Sequence, residues 1–388
     1  MSQHPKVLLL ITDAGGGHRS SAVSLQAAAQ AMGAPLDLRI VNVYREVWQD
    51  AEPLGRFTGV YAEDLYNIVL KRSWLALAPA MRKIAHLAAK QGNRRAFDHG
   101  VAYLRREQPA LCVSLMPFVN DLHLRICAAA GVPLALVVTD LVDTQPYMWY
   151  TPGICAQAAW VSAPCGEARQ QAEGAGAARI LDSGLLLHPK YADPGLRALS
   201  RRDARLSLGL DPEAMTVLVS MGGYGGKTME DLVDGLEQVG QGWQVVAICG
   251  RNEILKRKLE GRPKGRHKLK AVGFTDQFQT YLRAADLMVG KPGPASLLEA
   301  VAAATPLVLD AAAAMPQEEP NASLAERHGM ALKVSRRKDL PAAVAALVAD
   351  PGRRRAMEEA QRAYPLPDAG RSLVEALLET VQSKAQAA

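Results

Sequence analysis

KVLLLITDAGGGHRSS, residues 6–21, runs an apolar, strand-forming segment into three consecutive glycines and then into a helical pattern. TVLVSMGGYGGKT, residues 216–228, does the same in the second half of the chain. In an open parallel sheet this is how a first strand, the turn at its carboxyl end and the crossover helix read, and ligands bind at such turns against the helix start. Two such openings predict two doubly wound domains.

The rest of the chain fits that division. Short leucine-rich or β-branched runs alternate with longer alanine-rich helical segments, the pattern of parallel sheets covered by helices. Strands are expected over Lys6–Thr12, Leu36–Val43, Ala110–Leu115, Leu134–Thr139 and Ala158–Ser162, then over Thr216–Ser220, Gln244–Cys249, Lys268–Val272, Leu287–Val289 and Pro306–Leu309. Pro189, Pro194, Gly195 and a basic helical stretch separate the two sets. The expected domains are 1–190 and 191–365, with a C-terminal helix over 366–388 that has no following strand and is free to pack back on the first domain.

A chain of 388 residues has room for roughly two ordinary cores. Its 49% apolar and 22% charged residues read as a globular protein. Five cysteines, an odd number without C-x-x-C spacing, point to a reducing cytosol and away from zinc or disulfide frameworks. The opening MSQHPKVLLLITD has too short an apolar run for a signal-peptide core, and no apolar stretch reaches the ~18 residues that span a bilayer. Any membrane contact is therefore expected to be peripheral.

The formal charge is +6, which favours an anionic partner. Between Arg56 and Arg106 ten basic residues face three acidic ones, a net +7 in that segment alone. Within it Lys71, Arg72, Arg82 and Lys83 accompany Trp74, Leu75, Leu77, Met81, Ile84 and Leu87 at helical spacing. Such a helix suits the surface of an anionic membrane, or else covers a sheet and turns a solvated basic face outward.

Neither glycine turn fits the common nucleotide fingerprints. Ser20 stands where the dinucleotide motif needs its third glycine, and Met221 stands where a P-loop ending in Gly226, Lys227 and Thr228 needs its first. What remains is the general capacity of bare backbone and a helix start to approach an anion. His18 follows the first turn, where an imidazole could take a proton from a hydroxyl, bond a phosphate, or serve only as a polar neighbour of the cap. In GKPGPASLLEA, residues 290–300, Lys291 and Gly293 precede a helix carrying Ser296 and Glu299. That spacing suits a capping box, or a diphosphate at the helix start with Glu299 accepting from both hydroxyls of a ribose. MPQEEPN then brings Gln317, Glu318, Glu319 and Asn321 to a strand end, as sugar-gripping groups or as a solvated acidic loop.

Taken in order, ITDAGGGHRSSA, VVTDLVDTQPYMWY, SMGGYGG, VVAICGRNEILKRKL, VGFTDQFQTYLRAADLMVGKPGPASLLEA and PQEEPN resemble the monogalactosyldiacylglycerol synthase and processive diacylglycerol glucosyltransferase family. A more distant similarity is to the N-acetylglucosaminyltransferase that makes the lipid-linked precursor of peptidoglycan. The resemblance implies a GT-B fold, two Rossmann-like doubly wound α/β domains facing across a cleft. It also implies an inverting hexosyl transfer from a UDP-sugar to a diacylglycerol-like lipid, without metal or other cofactor and without nucleic acid. The enzyme would be cytoplasmic and bound peripherally to the inner face of the cell membrane.

By the same resemblance, Gly17, Gly222, Gly223, Gly250 and Arg251 belong to the nucleotide-sugar site, with Gly222 and Gly223 near the diphosphate and Phe274 beside the uracil. Lys291, Pro292, Gly293, Pro294 and Ser296 form the phosphate-facing loop, and Glu299 holds the ribose. Gln317, Glu318 and Asn321 contact the hexose or its phosphate. His18 is the expected base, with Asp13 or Asp140 nearby; Lys71, Arg72, Trp74, Arg82, Lys83 and Gln145 serve the acceptor and the membrane.

Two positions depart from the family pattern. Gln145 stands where the family carries a histidine, and glutamine can hydrogen-bond but cannot act as a base. Pro320 stands where a glycine is expected, which fixes φ in that loop. Two other functional classes share the pattern: a UDP-N-acetylglucosamine 2-epimerase of the same plan, and a non-catalytic nucleotide-sugar or lipid binder.

Overall fold

The computed structural model describes residues 4–14, 16–48, 51, 61, 63–64, 94–144, 148–222 and 226–387. The chain forms two compact units, one ending its main segment at Pro189 and also containing Pro367–Ala388, the other containing Lys190–Leu366.

In the first unit six parallel strands are seen among the described residues: β1 (Lys6–Ile11), β2 (Asp37–Asn42), β3 (Leu111–Ser114), β4 (Leu134–Leu136), β5 (Val161–Ser162) and β6 (Ile180–Leu181). Their order is β2-β1-β3-β4-β5-β6, so the direction of winding reverses between β1 and β3. The unbroken apolar run of β1 has a plain cause. Leu8 and Leu10 enter the core on one face, while Val7, Leu9 and Ile11 enter the core on the other. A strand buried on both faces leaves no solvent side for polar residues.

The second of these cores is closed by two helices. Helix Gly17–Ala31 contributes Ala22 and Leu25, and the C-terminal helix Ala369–Ala387 contributes Leu373, Val374, Leu377 and Val381. The two helices touch closely enough that a Cβ on Gly370 would stand 2.8 Å from the Ala28 Cβ.

The second unit has six parallel strands among the described residues: β7 (Thr216–Ser220), β8 (Gln244–Gly250), β9 (Lys268–Gly273), β10 (Leu287–Gly290), β11 (Leu307–Asp310) and β12 (Ala331–Val334). Their order, β12-β11-β10-β7-β8-β9, reverses between β7 and β10. Gly290 closes β10 in register with Ser220 at the end of β7. A Cβ there would lie 2.7 Å from the Ser220 carbonyl oxygen, so only glycine lets the two strand ends approach at the reversal.

The short strands β6 and β12 go beyond those expected from the sequence. β6 has two residues, and β12 reads Ala-Leu-Lys-Val, with Lys333 paired to Glu319, so neither shows an apolar run. Lys71, Arg72, Trp74, Arg82, Lys83, Gln145 and Gly223 lie outside the described residues. Among the described residues no helix is long and apolar enough to cross a membrane.

Candidate functional site

In each unit described glycines, Gly16 and Gly17 in the first and Gly222 in the second, follow the strand at which the order reverses, the general position of ligand sites in such sheets.

In the first unit the turn after β1 leads into helix Gly17–Ala31 through Gly16, whose φ of 84° is left-handed. No side-chain hydrogen bond from the N-cap Gly16 caps this helix. His18, in the first turn, has its Nδ1 3.3 Å from Thr139 Oγ1, beyond β4, and is also hydrogen-bonded to the Leu115 backbone, beyond β3. Desolvation drives its pKa down to about 4, against the hydrogen bond to Leu115 and the charge of Asp13. The ring is therefore neutral at neutral pH, and burial makes it a weaker base than a free imidazole.

The turn itself is tied down from outside. Glu63 Oε2 accepts from Thr12 Oγ1 at 2.8 Å and from the Asp13 amide at 2.7 Å. Asn42 Nδ2 donates to Asp13 Oδ2 at 2.9 Å and to Glu63 Oε1 at 3.1 Å. Arg45 Nε donates to Glu63 Oε1 at 2.7 Å. Asp13 forms a two-pronged ion pair with Arg19, at 2.5 and 2.8 Å, and this pairing chiefly holds its carboxyl below the usual range. A carboxylate so stabilised is a poor proton acceptor.

Beyond β4, Asp143 collects backbone amides. Its carboxylate accepts from the amides of Met148, Trp149 and Tyr150 at 2.8–3.1 Å. The buried Trp149 in turn donates its indole N–H to Asp140 Oδ2 at 2.8 Å. Thr139, next to Asp140 in the chain, is the residue that meets His18.

In the second unit the turns after β7 and β10 converge. Gly222, with φ 88°, lies so near Lys291 that a Cβ on it would stand 3.2 Å from the Lys291 Cε. Lys291, Pro292 and Gly293 lead into helix Pro294–Ala302, where Pro294 occupies the first turn and Gly293 the N-cap. Ser296 therefore sits inside the helix, donating to the Gly293 carbonyl at 3.2 Å, and the capping box that its spacing with Glu299 allowed is not formed. The Gly293 amide donates to the Lys291 carbonyl and Pro294 has no N–H, so an anion at this helix start would meet the amides of Ala295 and Ser296, which no cap side chain takes.

Glu299, one turn further in, is hydrogen-bonded to the Tyr191 hydroxyl. Desolvation raises its pKa to about 7, with Tyr191 and the charge of Lys190 opposing. Lys291 Nζ lies 2.6 Å from Glu318 Oε1, while Glu318 Oε2 accepts from the Met315 amide at 2.9 Å. Asn321, fully buried, donates from Nδ2 to the Pro292 carbonyl at 2.9 Å and so braces the loop between Lys291 and Gly293. Gln317 is half-buried beside them in sequence. Pro320 falls in the first turn of helix Glu319–Arg327, where a missing N–H costs nothing. At the end of β8, Gly250 has φ 58°, and the Arg251 guanidinium stands 5.2 Å from the ring centroid of Phe274, which is 69% exposed. An exposed aromatic face beside a cation can stack on a flat base.

The structure thus gathers Gly222, Lys291, Pro292, Gly293, Glu318 and Asn321 into one cluster, and places Gly250, Arg251 and Phe274 at the ends of the neighbouring strands β8 and β9. Sequence reasoning did not single out Glu63, Asn42, Thr139 or Tyr191. Each acts through a contact with a residue distant in the chain, for which no local spacing gives a signal. Among the described residues no group of three or more His, Cys, Asp or Glu side chains could hold a metal ion.

Residues 216–381 match the family described as glycosyltransferase family 28 C-terminal domain. The chain is 27% identical over 328 residues to monogalactosyldiacylglycerol synthase 1 of Arabidopsis thaliana, covering 79% of this chain and 58% of that protein. It therefore spans little more than half of that relative. It is 22% identical over 388 residues to the processive diacylglycerol beta-glucosyltransferase of Bacillus pumilus, covering 98% of this chain and 96% of that one. Among solved structures, Acinetobacter baumannii MurG superposes with a TM-score of 0.60 at 14% identity, covering 97% of this chain and 99% of that one. The two-sheet plan is thus the GT-B fold, with residues 216–381 similar to the C-terminal domain of glycosyltransferase family 28.

Proposed function

We propose that the chain is a hexosyltransferase that moves galactose or glucose from a UDP-sugar to a diacylglycerol-like membrane lipid. The observation that carries this reading is the convergence of Gly222, Lys291 and the open start of helix Pro294–Ala302 at the strand-order reversal of the unit that matches family 28. Backbone amides, a helix dipole and one ammonium are a suitable set for a diphosphate, and they stabilise the charge that develops on it as it leaves. Glu299 then takes the ribose hydroxyls, Phe274 with Arg251 flanks the uracil, and Gln317, Glu318 and Asn321 grip the hexose. No metal is required, because the leaving charge has its donors in the protein.

The first unit receives the acceptor and supplies the base. The acceptor hydroxyl oxygen bonds to the anomeric carbon as the bond to UDP breaks, UDP leaves with the electron pair, and His18 takes the hydroxyl proton. Attack opposite the leaving group inverts the anomeric configuration. The diacylglycerol-like acceptor is supported by the names of the relatives, a galactolipid synthase and a diacylglycerol glucosyltransferase. Lys71, Arg72, Trp74, Arg82 and Lys83 hold the enzyme on the anionic cytoplasmic surface of the cell membrane.

The test is incubation of the purified protein with labelled UDP-galactose or UDP-glucose and anionic liposomes containing diacylglycerol. Label in an extracted glycolipid is the expected result. Consumption of the nucleotide sugar with no labelled lipid would refute the assignment.

A further inference from the structure

The glycine turn that carries His18 has few side chains with which to hold itself. Gly16 and Gly17 offer none, and a Cβ on either would meet nothing within 4 Å. The turn is nevertheless gripped at both ends. At its start Glu63 takes the Thr12 hydroxyl and the Asp13 amide, and at its end Arg19, the residue after His18, is paired back to Asp13. Asn42 joins the two halves by donating one amide group to both carboxylates.

The result is a continuous chain, Arg45 to Glu63 to Asn42 to Asp13 to Arg19, in which two anions share one neutral donor and each has its own guanidinium. The Glu63 side chain is 1% exposed. A buried carboxylate is tolerated only when its oxygens are satisfied, and here the donors come from Thr12, Asp13, Asn42 and Arg45. That arrangement commits a buried charge to the turn that leads into the imidazole.

We propose that Glu63 is a positioning residue: it anchors the turn Thr12–Gly17 and, through Asn42 and the Asp13–Arg19 pair, fixes the His18 imidazole against Thr139 and Leu115. This rests on the reading of His18 as the base, but the anchor itself can be read without turnover. Glu63→Gln keeps the shape and one acceptor oxygen while removing the charge that Arg45 and the Asp13 amide face.

The experiment compares wild type, Glu63→Gln and Arg19→Gln by amide hydrogen exchange of the segment 10–19 and by NMR titration of the His18 ring. Donor kinetics are measured alongside. Expected in Glu63→Gln are at least about tenfold faster exchange at the Asp13 amide and a His18 midpoint raised from about 4 by a unit or more toward its free value. The turnover number kcat falls about 10- to 100-fold while the donor KM stays within about twofold, as displacement of a reacting group without loss of donor binding requires. Arg19→Gln, which frees the other end of the chain, shifts the His18 midpoint in the same direction and carries the test if Glu63→Gln does not fold. Unchanged exchange and an unchanged His18 titration in a folded variant would overturn the proposal. A wild-type protein that transfers no sugar, with exchange and titration behaving as expected, would instead overturn the role of His18 and leave the anchor standing.

Discussion

The Lys291 ammonium lies 2.6 Å from Glu318 Oε1, so two residues expected to grip different parts of a nucleotide sugar grip each other. Their side chains are 26% and 8% exposed, which makes the pair stronger than a surface ion pair and more sensitive to the loss of either member. A diphosphate at the helix start must compete with Glu318 for this lysine. Glu318→Gln weakens the competitor, so UDP should bind about 3- to 10-fold tighter while hexose transfer falls, an opposition in sign that a simple loss of contacts would not give. Lys291→Met should weaken UDP at least about tenfold and leave uridine, which has no phosphate, within about twofold. Calorimetric titration of both ligands into both variants checks this.

Glu299 supplies a pH dependence with a definite sign. Its pKa in the folded protein is raised to about 7 from 4.5, chiefly by desolvation, so its contribution to stability is fully present below pH 4.5 and is lost as the pH rises through 7. Glu299→Gln should therefore melt about 2–4 °C above wild type at pH 8 and alongside it at pH 4.5. Scanning calorimetry at the two pH values decides it.

The same carboxyl should make nucleoside binding pH-dependent. Ribose hydroxyls donate best to the ionised form, so uridine affinity should rise between pH 5.5 and pH 8. Uridine is the right probe because it has no phosphate titrating in that range. Tyr191→Phe removes a hydrogen bond that lowers the Glu299 pKa, and should move the rise to higher pH. A flat profile in wild type would separate Glu299 from the nucleoside.

His18→Ala should reduce transfer by about 10²- to 10⁴-fold, the usual worth of a positioned base. Uridine and UDP affinities should be unaltered, since the site proposed for them draws on the second unit. Single-turnover transfer together with calorimetry reads both quantities.

Gly290→Ala should destabilise the second unit by about 1–3 kcal/mol, as overpacking does, because its Cβ would fall 2.7 Å from the Ser220 carbonyl oxygen. Denaturant unfolding measures the loss. A neutral substitution would mean that β7 and β10 separate freely at the reversal.

The fold was legible because the inner strands of both sheets are buried on two faces and appear as unbroken apolar runs, as in Val7 to Ile11 and Val217 to Val219. β6 and β12 were not, being too short or interrupted by Lys333. In the second unit the sequence marked Lys291, Gly293, Glu299, Glu318 and Asn321, because glycines, prolines and carboxylates cluster in the turns and helices that follow two successive strands, β10 and β11. The spacing of Ser296 and Glu299 left a capping box open; Gly293 and Pro294 begin the helix earlier, which frees Glu299 for Tyr191. Glu63 and Tyr191 escaped notice because their partners are brought to them by the sheet and not by the sequence. The basic and aromatic residues from Lys71 to Lys83 lie outside the described residues.

The proposed transfer requires a uridine diphosphate seated where β7 and β10 end. Isothermal titration of UDP measures this directly: the account predicts one site per chain, lost in the Lys291→Met/Glu299→Ala double variant and retained in His18→Ala. No heat of binding with any uridine nucleotide, or binding indifferent to Lys291 and Glu299, would contradict it.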